Sequence, residues 1–386
     1  MPSKFSGGKE LRKHWMLDSE MHFLNHGSFG ACPRVVLQVQ QELRNRMEER
    51  PINFLVRELP TLIRQSADKL GEFLGTDGHD LAFIENATAA VNAVIRSYPW
   101  QAGDEILLSA HAYYAVKNAA RFVARQFGLT VREFSFAFPM QDDANLLTAF
   151  ESSITPKTRM AILDHVSSPL AIVYPLEKML AICRQHGIKT LIDGAHVPGM
   201  LPLNIEQVGA DWYVGNCHKW LFAPKGCAFI WAHPQQRDFL QPVVISLRMD
   251  EGFPLNFDWV GTRDASAWLA IDSALQFYKE MGGTDIPEKL HIFAITMARK
   301  LAQRWSIELP APEAMFAAMV TLPLPLKQAS TQDEANLLRD QLWQQHKIEV
   351  PLFILDDGQL WCRISAQLYN TEDDYERLAA AIVEMA

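Results

Sequence analysis

Short apolar segments alternate with segments of helical periodicity from the start of the chain to Trp231. This alternation predicts strands joined by helices, and therefore a mostly parallel sheet covered by helices. The predicted strands are Glu105–Ser109, Val131–Phe134, Met160–Asp164, Thr190–Asp193, Trp212–Val214 and Cys227–Trp231. Helices are predicted at Ala115–Phe127 and Pro175–His186, and the second has proline in its first turn and ends before Gly187.

The pattern changes near Asp264. Two long helical stretches follow, Ala265–Met281 and Pro287–Trp305, and then short strands alternate with helices at 332–346 and 372–384. This order predicts a smaller α+β domain at the C-terminus. We therefore expect three parts, which are an N-terminal segment packing on the small domain (1–20), a large domain (21–264) and a small domain (265–386).

Composition narrows the class of protein. The chain has 386 residues, of which 48% are hydrophobic and 21% charged, as in ordinary soluble globular proteins. Its net charge of −9 argues against nucleic acid or an anionic membrane as a partner. No apolar stretch reaches the roughly 18 residues of a membrane span. We expect a cytoplasmic enzyme that acts on a small molecule.

The cysteines indicate neither disulfides nor a metal site. They are scattered along the chain and form no CxxC pair, which argues against a zinc site. The five are Cys32, Cys183, Cys217, Cys227 and Cys362. We therefore predict no metal.

Lys219 is the first candidate for chemistry. Trp220, Leu221 and Phe222 follow it and can desolvate its amine, which makes a lysine nucleophilic. Such an amine can hold an aldehyde cofactor as an imine, and Asp193, at a strand end, can keep the pyridine nitrogen of that cofactor protonated. The two residues together predict pyridoxal 5′-phosphate. The alternatives are an amphipathic surface lysine and a helix-capping aspartate.

Two further segments fit the same cofactor and an amino-acid substrate. The turn at 85–90 leads into a helix over Val91–Ser97, and a helix start of small residues binds phosphate well. Arg363, at the end of a predicted strand, has the planar fork that suits a carboxylate. An ordinary helix cap and a structural salt bridge are the respective alternatives.

These residues resemble the class V aminotransferase superfamily of fold-type I pyridoxal phosphate enzymes, and within it the isopenicillin N epimerase-like branch. The matching motifs are Phe23-Leu24-Asn25-His26-Gly27-Ser28-Phe29-Gly30, Asn86-Ala87-Thr88, Asp193-Gly194-Ala195-His196, His218-Lys219-Trp220, Gly261-Thr262-Arg263-Asp264, Arg363-Ile364-Ser365 and Tyr369-Asn370-Thr371. The resemblance implies an α/β fold in which a large domain holds a mostly parallel seven-stranded sheet between helices. A smaller C-terminal α+β domain completes it.

The resemblance also implies roles for single residues around the cofactor. Lys219 would form the imine, Asp193 would pair with the ring nitrogen, and His196 would lie beside the ring. The phosphate would be held by Asn86, Ala87, Thr88, Asn216 and His218. Ser168 would lie near the phenolic oxygen of the ring.

Other implied roles concern the substrate and a second subunit. Either His111 or Tyr113 would stack on the second face of the ring. Arg363 would bind the substrate carboxylate, with Asn25 and His26 at the entrance of the site. Gly261 and Thr262 would reach the phosphate in a neighbouring subunit, so a homodimer with shared sites is expected.

Two departures from the family pattern bear on the reaction. Related cysteine desulfurases carry a nucleophilic cysteine on a loop before the carboxylate-binding arginine, and residues 347–355 contain none. Cys362 reads as a small core residue, so desulfuration is disfavoured. Pro169-Leu170-Ala171 stands where many relatives have a glycine-containing turn, which predicts a different pocket shape near the ring.

We expect the enzyme to act through Cα proton abstraction, with Lys219 as the general base. Epimerisation, with His26, His111 or Tyr113 as second proton donor, and C–S or other β-elimination are the leading outcomes. Transamination is the alternative. A non-catalytic regulatory protein that binds the cofactor is a further alternative, which the presence of Lys219, Asp193 and Arg363 together argues against. A dinucleotide oxidoreductase is poorly supported, because no GxGxxG follows the early strands.

Overall fold

The computed structural model of the chain describes residues 8–326, 329–355 and 358–385. Its strands are β1 (His22–Phe23), β2 (Leu81–Ile84), β3 (Glu105–Ser109), β4 (Thr130–Phe134), β5 (Thr158–Asp164), β6 (Lys189–Asp193), β7 (Trp212–Asn216), β8 (Ala228–Ala232), β9 (Met319–Pro323), β10 (Ile348–Glu349), β11 (Leu352–Ile354) and β12 (Leu360–Ser365). Its α-helices are α1 (Lys9–Arg12), α2 (His26–Phe29), α3 (Arg34–Glu49), α4 (Leu59–Leu74), α5 (Ala87–Ser97), α6 (Tyr114–Phe127), α7 (Ala144–Ser152), α8 (Leu176–Gln185), α9 (Ile205–Val208), α10 (Leu255–Asp258), α11 (Ser266–Leu269), α12 (Ile271–Glu280), α13 (Ile286–Trp305), α14 (Gln332–His346) and α15 (Glu372–Glu384).

Seven strands form the main sheet, in the order β2-β8-β7-β6-β5-β3-β4. Strand β8 runs antiparallel to both of its neighbours, and the other neighbouring pairs are parallel. Successive residues of β3 face opposite sides of the sheet, so that Ile106 and Leu108 belong to one apolar cluster and Leu107 to the other. Apolar layers therefore cover both faces, as parallel sheets require. The predicted mostly parallel seven-stranded sheet is confirmed.

The parallel strands end at one common edge, because parallel strands all present their carboxyl ends on the same side. Asp164 ends β5, Asp193 ends β6 and Asn216 ends β7. Asp164 and Asp193 are register partners across the two neighbouring strands. The fold thereby gathers polar side chains that lie far apart along the chain.

Some elements of the fold have no clear signal in the sequence. Strand β2 has four residues, all buried, and such a short apolar run has no period that separates strand from helix. Helices α3 and α4 were likewise not predicted. The stretch expected as one helix over Ala265–Met281 is divided into α11 and α12, because Ala270 departs from helical geometry with ψ at 0°.

The C-terminal part forms a second, smaller unit. Strands β11, β12 and β9 make an antiparallel sheet, and α13 contacts both β9 and α15. The N-terminal segment contacts this unit, since Gly8 donates to the carbonyl of Leu368, and β1, which follows that segment, pairs with β10. The smaller C-terminal domain is confirmed. The exact boundaries at 20 and 264 stay predictions, and residues 1–7 lie outside the described ranges.

Within the described ranges, the helices are too short or too polar to cross a membrane.

Candidate functional site

A cavity of about 580 Å³ lies at the carboxyl edge of the main sheet. The ends of β5, β6 and β7 form its floor, the start of α5 lies on its wall, and β12 of the smaller domain contributes Arg363. The cavity brings together these predicted site residues: Asn86, Ala87, Thr88, Tyr113, Ser168, Asp193, His196, Asn216, His218, Lys219 and Arg363.

Lys219 faces this cavity from the loop between β7 and β8. Burial first, and the nearby Arg363 guanidinium second, lower the pKa of its amine to about 7, although the carboxyl of Asp193 opposes both effects. A substantial fraction of the amine is therefore neutral near pH 7, which is the nucleophilic form. Its Nζ atom lies 3.3 Å from the Nε2 atom of His196.

His196 is a neutral partner for that amine. Its side chain is buried, and burial, followed by the charges of Lys219 and Arg363, holds the pKa of its imidazole well below the ordinary value. A neutral imidazole can exchange a hydrogen bond with the amine without repelling it. The pair can therefore hold a single proton between two nitrogen atoms.

A pair of carboxyl groups forms the floor of the cavity. Asp193 accepts a hydrogen bond from the backbone N–H of Ala195 at 3.0 Å. The neighbouring Asp164 is 4% exposed, and its Oδ2 atom has no hydrogen-bond partner among the described residues. Burial raises the pKa of both groups, and the charge of Asp193 raises that of Asp164 further. Ionisation of Asp193 therefore disfavours ionisation of Asp164.

One wall of the cavity is the amino-terminal end of α5. The Asn86 side chain caps the helix by accepting from Ala89 N at 2.9 Å, and Asn216 Oδ1 accepts from Ala87 N at 2.9 Å. Asn216 thus ties the start of the helix to the end of β7, and Thr88 lines the cavity beside it. A helix N-terminus held in this way suits a phosphate group.

His218 lies against the same wall. Its Nδ1–H donates to the carbonyl of Cys227 at 3.0 Å, so Nε2 is the atom left for a ligand. Burial and the charge of Lys219 lower the pKa of His218 to about 4. Because the ring is neutral near pH 7, Nε2 is an acceptor, and it can accept a hydrogen bond from a protonated phosphate oxygen.

Arg363 is a buried cation without a carboxylate partner in the described part of the chain. Its Nη1 atom donates to the backbone oxygen of Ser168 at 2.5 Å and to Ser168 Oγ at 3.2 Å, and Nη2 donates to Ser28 Oγ at 3.2 Å. Burial lowers the pKa of the guanidinium to about 10. A buried, uncompensated guanidinium at a cavity wall is suited to an incoming carboxylate.

Two residues expected at the substrate entrance lie elsewhere. His26 is fully buried, and its ring nitrogens bond to Tyr369 and to the backbone of Lys219. Asn25 is 8% exposed and bonds to Glu349. The residues that follow them in the same turn, Gly27, Ser28 and Phe29, line the cavity instead. The predicted placement of Asn25 and His26 at the entrance is corrected in this way because the side chains of consecutive residues in a tight turn face different directions.

The structure also separates the two aromatic candidates. Tyr113 lines the cavity, whereas the His111 ring packs edge-on against Phe136 with centroids 5.0 Å apart. Gly261 and Thr262 are not among the lining residues, and Thr262 lies exposed on the surface. A role for Thr262 in a second subunit stays a prediction.

Some lining residues were not predicted from sequence. Asp164 and Glu85 are the charged ones, and Val166, Ala195 and Gly226 complete the lining. Asp164 stands at a strand end just as Asp193 does, so the same positional signal was available for it. Glu85 is the first residue of the predicted phosphate-binding turn, and its side chain forms a salt bridge with Arg263.

A group of possible metal ligands lies away from the cavity. The side chains of Asp68, Asp77 and His79 bring ligand atoms within 4.8 Å of one another on the exposed surface. Asp77 caps a short 3₁₀ turn by accepting from His79 N, which accounts for their proximity.

The chain is similar to known proteins over most of its length. The family model described as aminotransferase class-V matches residues 21–378. The isopenicillin N epimerase of Amycolatopsis lactamdurans is 34% identical, over 97% of this chain and 98% of its own. An L-cysteine desulfhydrase of Arabidopsis thaliana is 32% identical, over 94% of this chain and 87% of its own.

Solved structures share the fold. A variant of C-DES with glycine covalently linked to its PLP cofactor has a TM-score of 0.84 and 23% sequence identity. The match covers 97% of this chain and 99% of the C-DES chain. The similarity therefore extends over both the main sheet and the smaller C-terminal unit.

Proposed function

We propose, from the premise that the chain belongs to the aminotransferase class V family, that it is a lyase that breaks a C–S bond at Cβ of an amino acid. The chain is an enzyme of this family, and its cofactor is pyridoxal 5′-phosphate. Similar proteins are named L-cysteine desulfhydrase and, at 25% identity, hercynylcysteine sulfoxide lyase of Schizosaccharomyces pombe. Others are named isopenicillin N epimerase.

The residues present fit this cofactor. Its aldehyde is matched by the partly neutral amine of Lys219, its ring nitrogen by the carboxyl of Asp193, and its phosphate by the start of α5 at Thr88. All three groups open into one cavity. When bound, the cofactor supplies an electron-withdrawing ring that stabilises negative charge at the substrate Cα.

The residues of the chain then have distinct tasks. Arg363 binds the substrate carboxylate and fixes the orientation of Cα. The Nζ atom of Lys219 removes the Cα proton, and His196 at 3.3 Å holds that amine in place. Loss of the thiolate from Cβ followed by hydrolysis converts cysteine and water into pyruvate, ammonia and hydrogen sulfide.

The lyase proposal rests on the finding that the cavity offers a base, Lys219 with His196, while two of the three expected proton donors for the opposite face do not line it. Elimination needs a base on one face of the substrate only, whereas epimerisation also needs a proton donor on the opposite face. Lys219 and His196 supply the one base. Of the expected second donors, His26 is buried outside the cavity lining and His111 packs against Phe136.

Epimerisation is the second candidate, and Tyr113 is the observation that favours it. This side chain lines the cavity and is 49% exposed, so its hydroxyl can exchange protons with solvent. If Tyr113 lies on the face opposite Lys219, it can return a proton to Cα with inversion.

Product analysis distinguishes these reactions. Cofactor-loaded protein is incubated with L-cysteine, L-cystine and an S-alkylcysteine sulfoxide, with Lys219→Ala as the control. Keto acid, ammonia and a released sulfur compound in equal amounts support the lyase. An inverted amino acid without ammonia supports the epimerase, and keto acid with the sulfur retained supports a transaminase. Absence of a visible absorbance band after addition of pyridoxal phosphate would contradict the cofactor assignment.

We also propose that the protein is a homodimer. Apolar side chains between residues 243 and 249 are strongly exposed, with Val244 at 57% and Leu247 at 89%, and such patches mark protein interfaces. Thr262 is exposed beyond the same segment and is available to a neighbouring subunit.

Two measurements test the dimer. Light scattering should give twice the mass of the chain. Mixing Lys219→Ala with Thr262→Ala subunits should restore one intact site in each mixed dimer, and no restoration would contradict shared sites.

A further inference from the structure

The turn at residues 26–30 lies between the sheet that carries Arg363 and the loop that carries Lys219. On one side, a Cβ at Gly27 would collide with the sulfur of Met319 and lie 3.3 Å from Ser365 Oγ. On the other, Gly30 has φ at +67°, and a Cβ there would lie 2.7 Å from the backbone oxygen of Lys219. The turn therefore contacts both the sheet that carries Arg363 and the loop that carries Lys219.

The two ring nitrogens of His26 form hydrogen bonds to two different parts of the chain, Lys219 and Tyr369. Its Nε2 atom lies 3.0 Å from the carbonyl oxygen of Lys219, and its Nδ1 atom lies 2.7 Å from the hydroxyl of Tyr369. A carbonyl oxygen can only accept, so Nε2 carries the proton. Burial lowers the pKa of His26 to about 3, so the ring is neutral and Nδ1 accepts from the Tyr369 hydroxyl. Both hydrogen bonds therefore favour the same tautomer of His26, with the proton on Nε2.

Aromatic packing restricts the ring further. Its centroid lies 4.9 Å from that of Trp220 and 5.8 Å from that of Tyr369. Trp220 is the residue directly after Lys219. Rotation of the His26 ring would therefore displace the neighbour of the catalytic lysine or break two hydrogen bonds.

The same turn reaches the carboxylate-binding end of the site. Ser28 Oγ donates to Asn25 Oδ1 at 2.5 Å and accepts from Arg363 Nη2 at 3.2 Å. Asn25 in turn donates to Glu349 at 3.2 Å. Within this turn, Ser28 thus contacts the Arg363 guanidinium and His26 contacts the backbone of Lys219.

We infer that His26 is a positioning residue that fixes the backbone of Lys219 relative to the strand carrying Arg363. It does so by donating from Nε2 to the Lys219 carbonyl while Nδ1 is held by Tyr369. This inference rests on the proposed function only in requiring Lys219 and Arg363 to act on the same substrate. The reacting groups come from different domains, and small errors in their relative position lower catalytic rates steeply.

A matched pair of tyrosine variants tests the inference with little risk of misfolding. Tyr369→Phe removes the hydroxyl that holds Nδ1 of His26. Tyr375→Phe removes an equally buried hydroxyl in the same domain, which donates to the carbonyl of Ser365 at 2.9 Å and has no bond to His26. Both changes should lower thermal stability by similar amounts. Only Tyr369→Phe should shift the pH midpoint of the bound cofactor's visible band and lower kcat by at least about 3-fold.

Two histidine variants separate the two hydrogen bonds. His26→Gln can still place a donor near the Nε2 position and reach the Lys219 carbonyl. His26→Asn can place an acceptor near the Nδ1 position but cannot reach Lys219. We expect His26→Asn to lower kcat by about 10-fold or more, with a smaller change in KM, and His26→Gln to recover most of the loss.

The readouts keep this inference distinct from the proposed reaction. The absorbance titration uses resting, cofactor-loaded protein without substrate, so it remains informative if C–S cleavage is not the activity. Identical band midpoints in Tyr369→Phe and Tyr375→Phe would overturn the inference. Equal behaviour of His26→Gln and His26→Asn would overturn it as well, because the bond to Lys219 would then have no particular effect.

Discussion

The Nε2 atom of His196 lies 3.3 Å from the Nζ atom of Lys219, and near pH 7 the imidazole is neutral and a substantial fraction of the amine is neutral as well. Each residue enters the cavity from a different strand end, His196 after β6 and Lys219 after β7. Burial is the main cause of both lowered pKa values. The contact therefore keeps a nucleophilic amine in place without a charged partner that would protonate it.

The lowered pKa of Lys219 predicts the pH dependence of cofactor capture. The neutral amine is the reactive form, so the rate of loading should rise with pH until the amine is fully deprotonated. For a pKa of about 7, the rate should increase about 10-fold from pH 6 to pH 8 and then level off. The growth of the visible band after mixing apoprotein with pyridoxal phosphate measures it. A rate that keeps rising to pH 10, as for N-acetyl-lysine, would contradict the prediction.

Asp164 should destabilise the apoprotein as the pH rises. Its pKa in the folded chain is raised, by burial first and by Asp193 second. Below the unfolded pKa both states are protonated and there is no cost. Between the unfolded and folded pKa values, folding keeps a proton that the unfolded chain releases, so stability falls with pH.

Asp164→Asn removes this titration and keeps the shape of the side chain. We expect its free energy of unfolding, measured by urea at pH 4 and pH 8, to decline less than that of the wild type. The difference should be about 1.4 kcal/mol for each unit by which the pKa is raised. Parallel curves for the two proteins would show that Asp164 ionises freely in the folded state.

Arg363 should govern substrate affinity. Arg363→Lys keeps the charge but loses the planar fork, and Arg363→Met loses both. A charge-assisted hydrogen bond contributes about 1.5–3 kcal/mol, so Arg363→Met should lower kcat/KM by roughly 10- to 100-fold, mainly through KM. Arg363→Lys should fall in between. Steady-state kinetics with the substrate identified by product analysis, compared with the corresponding amine that lacks a carboxylate, provide the measurement. The amine should be insensitive to either change.

Thr88 should contribute to cofactor affinity rather than to the reaction step. Thr88→Val removes a hydroxyl near the start of α5 and preserves side-chain shape. Loss of one hydrogen bond to phosphate should raise the dissociation constant of the cofactor by about 10-fold. Equilibrium dialysis with the loaded and stripped protein measures this constant. Thr296→Val, which removes a hydroxyl that bonds to the backbone of α13, is the control and should leave the affinity unchanged.

Part of the site was predictable because its signals are local. Asp193 stands at the end of an apolar run, and Lys219 is followed by three apolar residues. A single window of sequence contains each of these patterns. Asp164 carried the same strand-end signal as Asp193 but was overlooked, because a second carboxylate has meaning only once β5 and β6 are known to be neighbours.

The buried position of His26 cannot be predicted from a local sequence pattern. It depends on partners 193 and 343 positions away, Lys219 and Tyr369. No periodicity relates residues at such separations. The choice between His111 and Tyr113 is similar, since two residues of one turn differ in direction by the geometry of the turn and not by their chemistry.

Residue types and their periodicity were thus sufficient for the mostly parallel sheet and the cofactor, and they single out Lys219 as the residue expected to hold that cofactor. These features follow from interactions within short stretches, where side-chain chemistry and strand or helix period act directly. The tertiary arrangement was needed for the carboxyl pair, the buried position of His26 and the approach of Arg363 to Lys219. Each of those depends on which distant segments pack together, and packing minimises the free energy of the whole chain rather than of any one stretch.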